Sequence, residues 1–216
     1  MDAPARAPQP TILRGHGVVL EPLVMDHSSG LFAALGTGDE VFRWLRTEAP
    51  RCEADMAALV DALLTQQAEH GSVAFAVRDA ASGRIAGWTR YQRVELEHAR
   101  LSIGWTWYGR PWWGSVVHPA ARLLLLAHAF EELCIGRVEW KVDTGNLRNQ
   151  QTLDTMGAVR EGVLRHYWVR PGGSRRDCVA YSVLAHEWPA VRARLLTVVK
   201  GRAEHRGAPA NREVSN

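Results

Sequence analysis

The sequence predicts an α+β fold, a sheet with flanking helices, and three observations carry that expectation. Short runs that alternate apolar and polar residues recur along the chain, the period of a half-buried strand. Longer stretches such as AARLLLLAHAFEELCIG instead repeat their apolar residues at helical spacing. The middle of the chain runs strand, helix, strand, helix, an order that implies parallel pairing through crossovers.

Residues 1–16 are rich in proline and glycine and read as a flexible N-terminal arm. VVLEPL, from Val18, is the first strand, and Asp26 or Ser28 stands where it can cap a helix carrying Leu31, Ala34 and Leu35. A second helix spans about residues 53–70, with Met56, Leu59, Val60, Leu63 and Leu64 on one stripe, and stops at Gly71. VAFAVRD and RIAGWTRYQ pair through AASG, where Gly83 supplies the permissive dihedral of a tight turn. ARLSIGWTW is the fourth strand. The helix from Pro119 follows it, with Leu123, Leu126, Ala127, Phe130 and Leu133 on a broad apolar face closed by Gly136. RVEWKVDT is the fifth strand, and Gly145-Asn146 breaks the chain before a short helix ending near Gly157. VLRHYWVR and CVAYSVL form a hairpin around PGGSRRD, and a last helix covers roughly residues 188–199. Residues 17–200 then make one domain, and 201–216 a disordered tail too poor in apolar residues to pack.

Composition narrows the function classes. The three cysteines, Cys52, Cys134 and Cys178, are far apart and form no C-x-x-C pair, so neither a disulfide framework nor a zinc site is expected, and no metal is assigned. No apolar run is long enough for a signal peptide or a membrane span, which points to a soluble cytoplasmic protein. Lys141 and Lys200 are the sole lysines, so nearly all positive charge is arginine, suited to bidentate phosphate or carboxylate contacts. Without a basic run or an RNP-like aromatic motif, nucleic acid is not expected as the primary ligand.

The loop RPWWGSVVHPAAR lies between the fourth strand and the long helix, where backbone N–H groups and a helix dipole can face an anion. A P-loop is excluded because no G-K-[ST] follows. Trp112 and Trp113 cannot both face inward from a regular strand, so one is expected at a cleft or partner surface.

IGWTW, the PWWG loop, HAFEELCIGRVEWKVDTGN, NLRNQQTLDTMGAVREGVLR and GGSRRDCVAYSVLAHEW together carry a resemblance. The chain resembles the GNAT acyltransferase superfamily, within it the branch similar to RimJ/RimL N-acetyltransferases, over about residues 18–195. The resemblance implies a mixed, mostly antiparallel sheet, split between its fourth and fifth strands by a wedge that holds acetyl-CoA. It implies pyrophosphate binding by backbone donors at Gly114, Ser115, Val116, Val117 and His118, and backbone bonds from Thr106 and Trp107 to the pantetheine arm. Asn146 would bond the arm or a water beside it, although it reads almost equally as a turn residue. Arg110 and Arg148 can reach CoA phosphates, or simply sit in solvent.

Several positions depart from the family pattern. In the loop pattern [QR]-x-x-G-x-[GA], Pro111 replaces Gln or Arg and Val116 replaces the small residue, so a weakened or reshaped anion site is expected. Ser102 stands where the branch has its glutamate base, and Asn149 where it has its serine acid. Neither can do that proton transfer at neutral pH. Glu97 and His98, with Glu95, are therefore candidates for an alternative base or acceptor contact at the cleft mouth, and His166 is a further one. The implied activity is direct acetyl transfer from acetyl-CoA to a primary amine of a small molecule or a protein N-terminus. The alternative is a non-catalytic acyl-CoA-binding or regulatory protein. A homodimer is compatible with either.

Overall fold

The computed structural model describes residues 3–170 and 172–207. Strand β1 (Leu13–Gly15) turns through His16 and Gly17, with φ of 53° and 80°, into β2 (Val18–Pro22). This is the two-residue hairpin whose mirror-image turn matches strand twist. The stretch expected to be a flexible arm thus supplies an edge strand, and the Arg6 N–H donates to the Leu133 carbonyl at 2.8 Å. Helix α1 (Ser28–Leu35) follows a 3-10 turn, but neither Asp26 nor Ser28 caps it; Ser28 Oγ donates backwards to the Met25 carbonyl at 2.6 Å. Helix α2 (Glu53–His70) has the expected bounds, and Gly71 ends it in the left-handed region at φ 62°.

Strands β3 (Val73–Asp79), β4 (Ile85–Glu95) and β5 (Arg100–Tyr108) lead to helix α3 (Val117–Ala127), which continues as a π-helical turn over His128–Glu132. Cys134, at φ 55°, reverses the chain there, two residues before the expected Gly136. Then come β6 (Arg137–Asp143), α4 (Leu147–Met156), the hairpin β7 (Val159–Val169) and β8 (Arg175–Leu184), and α5 (Trp188–Gly207). Helix α5 runs through residues 201–207, assigned above to a disordered tail; residues 208–216 lie outside the described ones.

The strands form one sheet in the order β1-β2-β3-β4-β5-β6-β8-β7, antiparallel throughout except for β5 and β6. With β1 counted, the expected fourth and fifth strands are β5 and β6. They pair only at Arg100↔Arg137, Leu101↔Val138 and Ser102↔Glu139, and then separate. Two features split them. Opposite β4, the ladder jumps from Arg90↔Gly104 to Trp88↔Trp107, so β5 carries one extra residue, with Trp105 at φ 52°. Such a bulge bends its strand and redirects a side chain. Strand β6, meanwhile, pairs with β8 along its whole length, from Arg137↔Leu184 to Asp143↔Cys178.

Both faces of the sheet are covered at β4. Arg90 donates to Gln66 of α2, while its neighbour Tyr91 donates to the Leu125 carbonyl of α3 at 2.6 Å, so consecutive side chains meet helices on opposite faces. Under the bulge, Phe42, Trp88 and Trp107 interlock, Trp88 edge-on to Trp107 with ring centroids 5.2 Å apart. Each such pair adds about 0.5–1.5 kcal/mol beyond its buried area. This buried aromatic group fixes the floor from which the split strands diverge.

Candidate active site

The split opens a cleft of about 480 Å3. Residues Ile103 to Tyr108 of β5 form one wall and Trp140 to Asp143 of β6 the other. Gly114 and His118 close one end, Asn146, Arg148 and Asn149 come from the start of α4, and Arg202 reaches in from α5. The segment between α1 and α2 contributes Trp44 and Arg46, and the β7–β8 hairpin contributes Trp168 and Arg176.

At the loop end, Pro111 sits in a 3-10 turn over Arg110–Trp112, where its missing N–H is no loss. Gly114 has φ 75° and open space around its α-carbon, so the turn needs glycine for its dihedral and not for room. Five donors were expected here. The Ser115 N–H is taken by the Trp112 carbonyl and that of Val117 by Ser115 Oγ, both at 3.2 Å. Those of Gly114, Val116 and His118 have no protein acceptor among the described residues. The Val116 side chain is turned into the core, so its branching leaves the loop surface unobstructed.

Three guanidinium groups surround these free donors. Arg122 is buried, donates to Asn149 Oδ1 at 3.3 Å and lies 5.9 Å from the Trp140 ring. Arg148 stacks 4.5 Å over Trp113, and Arg202 donates to the Ser115 carbonyl at 2.9 Å. No carboxylate pairs with any of them among the described residues. Desolvation pushes the Arg122 guanidinium down to about 10, still charged at neutral pH. Desolvation, followed by the fields of Arg122, Arg202 and Arg148, holds His118 well below the ordinary histidine range, so it is neutral. Free N–H groups at a helix start, ringed by uncompensated cations, suit a polyanion such as a CoA pyrophosphate and its neighbouring phosphate. The walls also fit an extended polar arm. Among the described residues, β5 beyond Ser102 has no partner strand on its β6 side, and the buried indole nitrogens of Trp107 and Trp140 lack acceptors.

Other expected residues fall into two groups. Thr106, Trp107, Asn146 and Asn149 line the cleft. The Thr106 hydroxyl bonds Thr89 Oγ1 at 2.7 Å. Asn146 caps α4, its Oδ1 accepting from the Asn149 N–H at 3.2 Å. Ser102 is buried behind the fork, donating to Glu139 Oε1 at 3.1 Å. Glu97 and His98 do not reach the cleft mouth where they were placed. They sit in the turn after β4, at the closed end of the fork, exposed and paired with each other at 3.0 Å. His166 is exposed on the hairpin, with its backbone N–H bonded to Asp177. Arg110 pairs with Glu40 at 2.6 Å, and both members of the tryptophan pair line the cleft, Trp112 buried and Trp113 exposed.

Sequence reasoning missed Arg122, Arg202, Arg46, Trp44, Trp168 and Arg176. The first hides among leucines and the second in a presumed tail. A charged residue on the apolar side of a strongly amphipathic helix was the available signal for Arg122. Arg46 and Trp44 come from a stretch whose path no periodicity encodes.

Comparison with known proteins points the same way. Residues 18–159 match the model of a family described as an acetyltransferase (GNAT) domain. The chain is 28% identical over 106 residues to the Bacillus subtilis (strain 168) protein named "Putative ribosomal N-acetyltransferase YdaF", covering 49% of this chain and 57% of that one. It thus spans little more than half the length of that curated relative. A crystal structure of a "putative acetyltransferase" from T. thermophilus is 39% identical, covers 88% of this chain and 97% of its own, and superposes with a TM-score of 0.79. A GCN5-related N-acetyltransferase from Brucella melitensis is 27% identical over 98% of this chain and 91% of its own, with a TM-score of 0.83.

Proposed function

Because the chain belongs to the GNAT acetyltransferase family, on the branch similar to the RimJ/RimL enzymes, we propose that it transfers the acetyl group of acetyl-CoA directly to a primary amine of a small molecule or a protein N-terminus. The observation that carries this reading is the unsatisfied anion site at the mouth of the split strands. Free N–H groups of Gly114, Val116 and His118 stand there beside Arg122, Arg148 and Arg202, which have no carboxylate partner among the described residues.

Acetyl-CoA supplies an activated acyl group as a thioester. The chain's part is to bind, orient and keep the amine neutral. The loop and its arginines hold the phosphates, and the β5 backbone beside the bulge offers N–H donors toward a carbonyl oxygen. Among the described residues no free carboxylate faces the cleft: Glu40 is paired with Arg110, and Asp143 with Arg170 and Arg176. A cation-lined cleft disfavours an ammonium ion and lowers its pKa, so the amine reaches the site as a neutral nucleophile without a dedicated base. This accounts for a site in which neither Ser102 nor Asn149 can act as the base or acid of the branch pattern.

The test is thiol release from acetyl-CoA across a panel of primary amines. Turnover above background hydrolysis with at least one amine is expected, with a rate that rises with pH as the amine is deprotonated. A folded protein that CoA stabilises against heat, yet that turns over no amine, would instead be an acyl-CoA-binding protein.

A further inference from the structure

A second cationic group, separate from the one at the loop, reaches the cleft through Arg46 and Arg176, with Arg90 buried behind them. Arg90 lies 4.9 Å from the Trp105 ring, Arg46 lies 5.6 Å from Trp105 and 5.2 Å from Trp168, and Arg176 lies 4.9 Å from Trp168. The result is an alternating ladder, Arg90–Trp105–Arg46–Trp168–Arg176, built from β4, the bulge of β5, the segment between α1 and α2, and both strands of the last hairpin. The arginines at the loop come from α3, α4 and α5, whereas these come from β4, the segment between α1 and α2, and β8, so the two groups are built from different elements.

This second group is short of negative charge. Arg90 directs its N–H groups at the neutral amides of Gln66 and Gln92. Arg176 shares the buried Asp143 with Arg170, and its own buried Nε has no acceptor among the described residues. Arg46 has no carboxylate at ion-pair distance among the described residues, and desolvation together with Arg93 and Arg176 lowers its pKa. Stacking on two indoles fixes the plane of a guanidinium and leaves its N–H edge open for a bidentate anion. Like charges crowded together without a counter-ion cost free energy that a bound anion returns. The tryptophan that organises the ladder is also the residue at φ 52° in the bulge, a backbone state unusual for a bulky side chain.

We propose that the amine acceptor carries a carboxylate, and that Arg46, held between Trp105 and Trp168 and backed by Arg176, binds it while the amine of the same molecule points toward the fork of β5 and β6. The inference rests on the acetyl-transfer reading above and specifies its acceptor. The carboxylate is either that of a free amino acid or an acidic side chain near a peptide N-terminus, which share this chemistry.

The experiment compares kcat/KM for matched pairs: amino acids against their amides, and short peptides with an acidic second residue against the same peptides with its amide. The acid of at least one pair is expected to exceed its amide by about tenfold or more, the scale of a charge-assisted hydrogen bond. Which pair shows it identifies the source. Arg46 is exposed to the cleft, so Arg46→Gln should fold, and it should collapse the acid-to-amide ratio through KM for the acid, with partial recovery in Arg46→Lys. Equal turnover of acids and amides, or a ratio unmoved by Arg46→Gln, overturns the inference and leaves acetyl transfer standing. If no amine is turned over, acetyl transfer fails, and tryptophan fluorescence titration decides the inference. Acid-selective quenching that Arg46→Gln abolishes upholds the anion site, whereas an equal response to acid and amide overturns it.

Discussion

Arg122 shows how a single residue can oppose stability for the sake of a ligand. Its guanidinium is buried, its hydrogen-bond partners are the neutral Asn149 Oδ1 and Met156 Sδ, and no carboxylate repays its desolvation among the described residues. Replacing a buried, unpaired charge by an apolar side chain of similar length removes that penalty. Arg122→Met is therefore expected to raise the Tm of the ligand-free protein by a few degrees, while weakening CoA binding about tenfold or more, read by calorimetry. A lower Tm with unchanged CoA affinity would make Arg122 a packing residue only. Gly114→Ala tests the other half of the site. Its φ of 75° should cost about 1 kcal/mol in a denaturation midpoint, although a methyl group there would touch nothing. At this scale the sequence was legible where chemistry and position coincide. The glycine, the tryptophan pair and Asn146 could be placed from local pattern, because a turn and a strand alternation constrain them. The direction of the Val116 side chain could not be read, nor the accompanying cations, because they depend on which way a helix and a tail rotate against the sheet.

Among the elements, α5 departs furthest from its sequence reading. Its helical period carries few large apolar residues beyond Val199, so composition alone ends it there. The helix persists to Gly207, and Arg202 bonds the Ser115 carbonyl of the anion loop. One end of the last element thereby reinforces the loop before α3. Arg202→Gln should weaken CoA binding roughly three- to tenfold and reduce its sensitivity to added salt, since one of the three cations at the loop is lost. Isothermal titration at low and high salt reads both effects, and an unchanged affinity would confine Arg202 to a loop-bracing role. Helix α2, by contrast, was readable to its ends, because its apolar stripe and Gly71 act within the element itself. The strand β1 was not, since three residues are too few for a period and their pairing depends on β2. The parallel pairing of β5 and β6 followed from element order, whereas the shortness of that pairing depends on the Trp105 bulge, which no pattern in IGWTW announces.

At the scale of the whole molecule, cations gather along the cleft while Glu139 and Glu161 are held by Arg137 and Lys141 across β6 and β7, and buried or paired groups at both places shape the response to pH. Desolvation lowers both His118 and His128 below the ordinary histidine value of 6.5. The unfolded chain then takes up protons near pH 6.5 that the folded chain refuses, so stability is full above that pH and declines as pH falls below it, by up to about 1.4 kcal/mol per unit for each histidine. Glu161 behaves oppositely in origin. The Arg137 hydrogen bond, outweighing burial and aided by Ser182, holds it down at about 2, against the ordinary 4.5. Its contribution is present above pH 4.5 and is lost as pH falls from there toward 2. The urea midpoint should therefore fall in two limbs, an upper one that sets in as pH drops below 6.5 and a steeper one that sets in below pH 4.5. His118→Asn should make the upper limb shallower, leaving the share of His128, and Glu161→Gln should remove the steepening below pH 4.5. Saturating CoA should also flatten the upper limb, because a polyanion beside His118 offsets the arginine field and lets the folded protein accept the proton. An upper limb identical in wild type and His118→Asn would show that His118 titrates alike in the folded and unfolded states, and that the arginines of the loop do not act on it.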